Sequence, residues 1–141
     1  MSLHRSTIET ELRAGITVIC DRYAFSGVAF SASKPSLSYE WCKAPDVSLP
    51  APDCVIFLDV SPEVAQQRGG YGEERYEKEE MQTRVREIFK KIEADTTQSN
   101  NDLIWSTIDA SGTPEDVESR IRNVVEPLYA GVTGEIQKLW V

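Results

Sequence analysis

Thr17-Val18-Ile19-Cys20-Asp21-Arg22-Tyr23-Ala24-Phe25-Ser26-Gly27-Val28-Ala29-Phe30 is the stretch on which the fold of this chain turns. The run that leads into it, Ile16 to Cys20, is short, apolar and rich in β-branched residues, as suits a strand buried on both faces. The run stops at a charged pair, Asp21-Arg22, and a helix-compatible segment follows with Ser26 and Gly27 in its first turns. In an open α/β sheet, ligands bind just beyond the carboxyl ends of the strands. Asp21 and Arg22 would stand at such an end. One is a carboxylate able to serve a metal or its water, the other a planar fork able to grip a phosphate.

Working outward, the same strand-then-helix rhythm recurs. Upstream, Ser6 and Glu9 have capping-box spacing, Ile8 and Leu12 start an apolar stripe, and Gly15 reads as the helix C-cap. Downstream, Ser38 to Lys43 suits a short helix whose Trp41 would pack in the core or a subunit interface. Cys54 to Val60 reads as a second strand. Ser61-Pro62-Glu63 then supplies an N-cap, a first-turn proline and an acid for a short helix ending near Arg68. A charged helix from about Lys78 to Ala94 carries Met81, Val85, Ile88, Phe89 and Ile92 on one side. Leu103 to Ile108 forms the third strand, Asp109 to Gly112 a turn, and Thr113-Pro114-Glu115-Asp116 the start of the last helix, which Pro127 ends or kinks. This alternation predicts an α/β fold with a three-stranded parallel sheet flanked by helices, in a single domain over residues 1–141.

The charge balance narrows the function. A net charge of -8 in 141 residues speaks against a nucleic-acid polymer as partner, because that binding needs an excess of Lys and Arg. No membrane-length apolar run or signal peptide is evident, so a cytoplasmic location is expected, with the nucleus open. The three cysteines, Cys20, Cys42 and Cys54, form no CxxC pair, and Cys20 and Cys54 read as small buried thiols. His4, the only histidine, lies near the terminus and reads as solvated.

Against that acidic background three arginines stand out. Arg22 follows the first strand, while Arg68 and Arg75 bracket Gly69-Gly70-Tyr71-Gly72-Glu73-Glu74. Phosphoryl transfer between nucleotides needs positive charge that closes over the phosphates and keeps water out. A glycine-rich loop with an arginine at each end suits such a lid. The same loop also reads as a solvated segment with surface ion pairs to its glutamates. Asp21-Arg22 equally suits a structural ion pair, Phe25 and Phe30 suit core packing, and Asp59 is either an acid at a strand end or a solvated side chain.

Residues Asp21 to Phe30 resemble the signature of the thymidylate kinase family, in its eukaryotic form. The resemblance continues through Trp41-Cys42-Lys43-Ala44-Pro45-Asp46, Leu49-Pro50, Pro52-Asp53 and Arg68 to Glu77. It implies transfer of the γ-phosphoryl group of Mg-ATP to dTMP, giving dTDP, with Mg²⁺ as the accompanying ion. By matching position, Arg22 would bind the dTMP phosphate, and Asp21 would arrange the phosphates and a magnesium-bound water without ligating the metal directly. Ser26 and Gly27 would lie against the nucleotide, Phe30 near the sugar, and Tyr76 and Gln82 would also contact dTMP. Arg68 would lie over adenine, with Asp109, Ala110 and Ser111 forming part of its pocket. Arg75 would be a lid arginine near the transferring phosphate, the lid spanning about 68–77. A homodimer is the family expectation.

One departure qualifies this picture. The sequence holds no G-x-x-x-x-G-K-[ST], the backbone cradle whose lysine and hydroxyl hold ATP phosphates and Mg²⁺. The chain therefore resembles the C-terminal two-thirds of a thymidylate kinase, with an incomplete P-loop-kinase-like sheet. In the family a central strand lies between the strands matching Ile16–Cys20 and Cys54–Val60. Its loss would leave a slot about 10 Å wide, to be closed by pairing or filled by another chain, or else to weaken the fold. Little kinase activity is then expected of this chain alone. The competing expectations are a nucleotide-binding or interaction module without catalysis, and another nucleoside monophosphate kinase.

Overall fold

The computed structural model describes the backbone of residues 2–68 and 75–141, and side chains within these except those of 2–4 and 75–78. In chain order the elements are α1 (Ser2–Arg13), α2 (Ala24–Ala32), α3 (Tyr39–Lys43), β1 (Cys54–Asp59), α4 (Pro62–Arg68), α5 (Arg75–Ser99), β2 (Ile104–Asp109) and α6 (Pro114–Val125). A 3₁₀ turn, Ala44–Asp46, follows α3, and another, Glu126–Ala130, follows α6.

Local chemistry accounts for several of the helix ends. The amides of Gly15 and Ile16 donate to the carbonyls of Leu12 and Glu11, closing α1 in a Schellman motif with Gly15 at φ 79°. The start of α1 differs from expectation: it begins at Ser2, so Ser6 lies inside the helix instead of capping it. The Ser38 hydroxyl accepts from the Trp41 amide to start α3. Thr113 and Asp116 complete a reciprocal capping box at α6.

β1 and β2 pair in parallel, with Cys54 opposite Ile104 and Asp59 opposite Asp109. Side chains alternate across this pair. Val55, Phe57, Trp105 and Thr107 face one side, where Phe57 meets Phe89 of α5 with ring centres 4.7 Å apart. On that side α2 packs against α5, and Phe25 is edge-on to Trp105 at 5.4 Å. Ala24, Phe25, Val28, Ala29, Val85 and Ile92 form the centre of the core, joined by Leu139 from the far end of the chain. α6 lies on β2, and Leu58 and Ile104 stay exposed.

The sheet has two strands among the described residues, not three. Ile16 to Cys20 runs extended but enters no ladder, leaving Ile19 91% exposed and the Cys20 thiol exposed, where burial was expected. The residues have strand composition, yet a strand exists only when a neighbour takes up its N–H and C=O groups. Neither closing of the slot nor pairing with β1 occurs. Trp41 is 64% exposed and lies outside the core, which leaves the subunit interface as its expected packing.

Asp46 is buried in the turn after α3, and its Oδ1 has no hydrogen-bond partner. Burial holds this carboxyl above the usual carboxylate range. Its contribution to stability is therefore whole below the unfolded pKa and is lost as pH rises through the raised value. Asp46→Asn is expected to stabilise the protein at neutral pH by about 1 kcal/mol, or roughly 3 °C. Melting curves across pH 4 to 8 should show the gain growing with pH; a gain independent of pH would refute the assignment.

Candidate functional site

Two groups of expected site residues lie at the ends of secondary elements. The first is the bend Asp21-Arg22, exposed on both residues, between the unpaired run and α2. Arg22 has φ 64°, a left-handed conformation that non-glycine residues seldom adopt without a surrounding constraint. Tyr23 is extended, and no side-chain bond from it caps α2. The Ser26 hydroxyl donates to the Tyr23 carbonyl at 3.2 Å, closing the first turn. Gly27 is exposed, and a Cβ there would meet nothing within 4 Å. Phe30 is half-buried against the core, in keeping with its packing role. Gln82 is exposed on α5. Two residues later the Arg84 guanidinium donates to the carbonyl of Ser33, the α2 C-cap, at 3.0 Å, tying the two helices together.

The second group surrounds the carboxyl ends of β1 and β2. Asp59, Val60, Ser61, Val64, Arg86, Thr107, Asp109 and Ser111 line a cleft of about 470 Å³. The Ala110 amide donates to the Asp59 carbonyl at 2.8 Å, extending the strand pairing by one step. Ser111 donates its amide to Asp109 Oδ1 at 2.9 Å, and hydrogen bonding from Ser111 holds that carboxyl below the usual range. Arg68, at the end of α4, donates to the Gly112 carbonyl at 3.1 Å. Arg68 and the Asp109–Ser111 turn, 41 or more positions apart in sequence, are thus neighbours.

One cleft pair escaped sequence reasoning. Arg86 Nη2 donates to both carboxylate oxygens of Asp59 at 2.7 Å. Asp59 was legible as an acid at a strand end, but Arg86 was hidden in a helix rich in charge. The traceable signal is its position one turn before Phe89, whose partner Phe57 lies two residues before Asp59. Most of the expected lid, with the side chains of Arg75 and Tyr76, lies outside the described residues. Among the described residues, no group of three or more His, Cys, Asp or Glu side chains could hold a metal ion.

The profile of the family described as thymidylate kinase matches residues 1–121, a span that contains both groups. The chain belongs to the thymidylate kinase family. A thymidylate kinase of Arabidopsis thaliana is 50% identical over 121 residues, which is 86% of this chain and 43% of that protein. One from Schizosaccharomyces pombe is 51% identical over 118 residues, 84% of this chain and 55% of that protein. The human thymidylate kinase is 42% identical over 134 residues, 94% of this chain and 61% of that protein. The chain thus spans about half the length of these relatives. The solved structure of the Candida albicans thymidylate kinase superposes with a TM-score of 0.73 at 26% identity, covering 96% of this chain and 66% of that one. The α/β architecture read from the sequence is therefore that of a thymidylate kinase, with two paired strands present here.

Proposed function

We propose that this chain carries the dTMP-binding side of a thymidylate kinase, an enzyme that moves the γ-phosphoryl group of ATP to dTMP and releases dTDP and ADP. The observation that carries the reading is Arg22, a guanidinium held exposed on a left-handed backbone where α2 begins. A fork-shaped cation beside a helix N-terminus suits a phosphate dianion. Gly27 supports the same reading. Glycine inside a helix costs about 0.5–1 kcal/mol, and the open space beside Gly27 is compatible with close approach of a ligand.

In the proposed reaction Arg22 grips the dTMP phosphate, Ser26 and Gly27 lie along the nucleotide, Phe30 borders the sugar, and Gln82 and Tyr76 contact the nucleotide from α5. Arg68 covers adenine beside Asp109, Ala110 and Ser111. Arg75 enters from the lid at about 68–77 and offsets charge on the phosphoryl group as its bond to ADP breaks and its bond to the dTMP phosphate oxygen forms. Mg²⁺, when bound with ATP, supplies charge neutralisation between the phosphates; it prefers phosphates and waters to an all-protein cage, and Asp21 would meet it through water. Because the sequence contains no G-x-x-x-x-G-K-[ST], the chain alone is expected to bind dTMP with little turnover.

No described helix is long and apolar enough to cross a membrane. A cytoplasmic or nuclear location and a homodimer belong to the proposal. Calorimetric titration with dTMP, dUMP, UMP and AMP tests it. The strongest binding is expected for dTMP, and a preference for UMP or AMP would transfer the chain to another acceptor. Turnover of dTMP with ATP at ordinary kinase rates by the 141-residue chain would overturn the expected inactivity.

A further inference from the structure

The last residues of the chain reach back to the loop that precedes β1. The Ala51 amide donates to the Gln137 carbonyl at 2.7 Å, the Leu139 amide to Leu49 at 2.8 Å, and the Ser48 amide to Leu139 at 2.9 Å. Pro50 and Lys138 form an antiparallel bridge between these bonds. Leu139 is 1% exposed within the core. Trp140 sets its indole edge-on to Phe25 at 5.9 Å and donates from Nε1 to the buried Thr96 hydroxyl at 3.2 Å. This segment lies beyond the residues matched by the family profile.

The loop held in this way is also bonded to the residue after Arg22. The Tyr23 hydroxyl donates to the Pro50 carbonyl at 2.9 Å, and its ring lies edge-on to Phe25 at 6.1 Å. Burial pushes the Tyr23 phenol up to about 12, so it remains a donor through the neutral range. On the other side of Arg22, residues 16 to 20 enter no ladder that would restrain them. A non-glycine residue persists at positive φ only when its surroundings over-determine it. Around Arg22 that restraint comes from the Tyr23 side.

We propose that Gln137–Trp140 is a positioning strap that fixes the backbone of Arg22 for an incoming phosphate, acting through the Leu49–Ala51 loop and the Tyr23 hydroxyl. The use of Arg22 on a nucleotide phosphate rests on the function proposed above; the mechanical link does not. The strap touches no nucleotide, and its effect passes through hydrogen bonds on one side of the site.

The test uses the full chain, with Tyr23→Phe, which keeps the ring and removes the donor, with Leu139→Ala, and with Leu139→Met, which keeps the volume. Amide hydrogen exchange is followed at Arg22–Ser26 and, as reference, around Ile92 in α5. Tyr23→Phe and Leu139→Ala should speed exchange at Arg22–Ser26 at least tenfold, Tyr23→Phe leaving α5 unchanged, and Leu139→Met should restore the original rates. Both weakened variants should bind dTMP about tenfold less tightly. For Tyr23→Phe, a purely structural role would speed exchange across α5 as well, and that result would overturn the proposal. So would faster exchange at Arg22–Ser26 with unchanged dTMP affinity. If the unsubstituted chain binds no dTMP, the functional reading alone falls, and unchanged exchange at Arg22–Ser26 is then the outcome that overturns the strap.

Discussion

Arg22→Gly should remove dTMP binding, by about a hundredfold or more, while leaving the fold almost as stable as before. A charge-assisted bond from a guanidinium to a phosphate contributes roughly 1.5–3 kcal/mol, and a fork that makes two such bonds loses both on truncation. Stability is subject to opposing effects. Glycine relieves the left-handed strain at φ 64°, worth about 1–2 kcal/mol. It also gives the unfolded chain more freedom, which takes back about 0.5–1 kcal/mol. The net change should stay within about 1 kcal/mol of zero. Calorimetric titration with dTMP beside thermal unfolding separates the two. Binding within threefold of the original would remove Arg22 from the phosphate site, and a large loss of stability would make it a structural residue.

Ile92→Ala should have the largest effect on folding. Its side chain, on α5, is fully buried in the core, so truncation loses transfer free energy and leaves a cavity. Such changes cost about 2–5 kcal/mol against a total stability of about 5–15 kcal/mol. For a chain of this size the melting temperature should fall by about 10 °C. Ile19→Ala is the matched comparison. Ile19 is 91% exposed, so its removal should change stability by no more than about 0.5 kcal/mol. It should also improve solubility, since an apolar extended run without a ladder invites pairing with other chains. Denaturant titration of both variants checks the contrast, and equal losses would mean that Ile19 is covered in solution.

The two isoleucines show how far the sequence could be read. Val85, Ile88, Phe89 and Ile92 announced a helix face by their spacing, and that face does meet the core. Cys54 to Asp59 and Ile104 to Asp109 announced strands, and they pair in parallel. Ile16 to Cys20 carried the same signal and formed none. Composition reports what a segment can do with a partner, whereas a ladder also requires the partner's backbone.

The site divides along similar lines. Asp21-Arg22 was legible as a candidate because a carboxylate and a guanidinium end an apolar run together. Arg68 beside Asp109–Ser111 was expected only through resemblance to a family, and the structure places the arginine on the Gly112 carbonyl. The Asp59–Arg86 pair and the strap at Leu139 lay outside any local pattern. The first joins residues 27 positions apart, and the second reaches across the chain from residues 137–140 to 48–51.

By itself, then, the sequence determined the helices, the caps at Gly15, Ser38 and Thr113, two strands and the presence of an acid–arginine pair beside a helix start. These depend on spacing, side-chain shape and hydrogen bonds a few residues long. Only the tertiary structure decided that the run Ile16 to Cys20 stays unpaired, that Asp59 holds Arg86, and that the end of the chain restrains the loop bonded to Tyr23. Each of these depends on whether a distant group occupies the space beside the residue, and no local pattern carries that information.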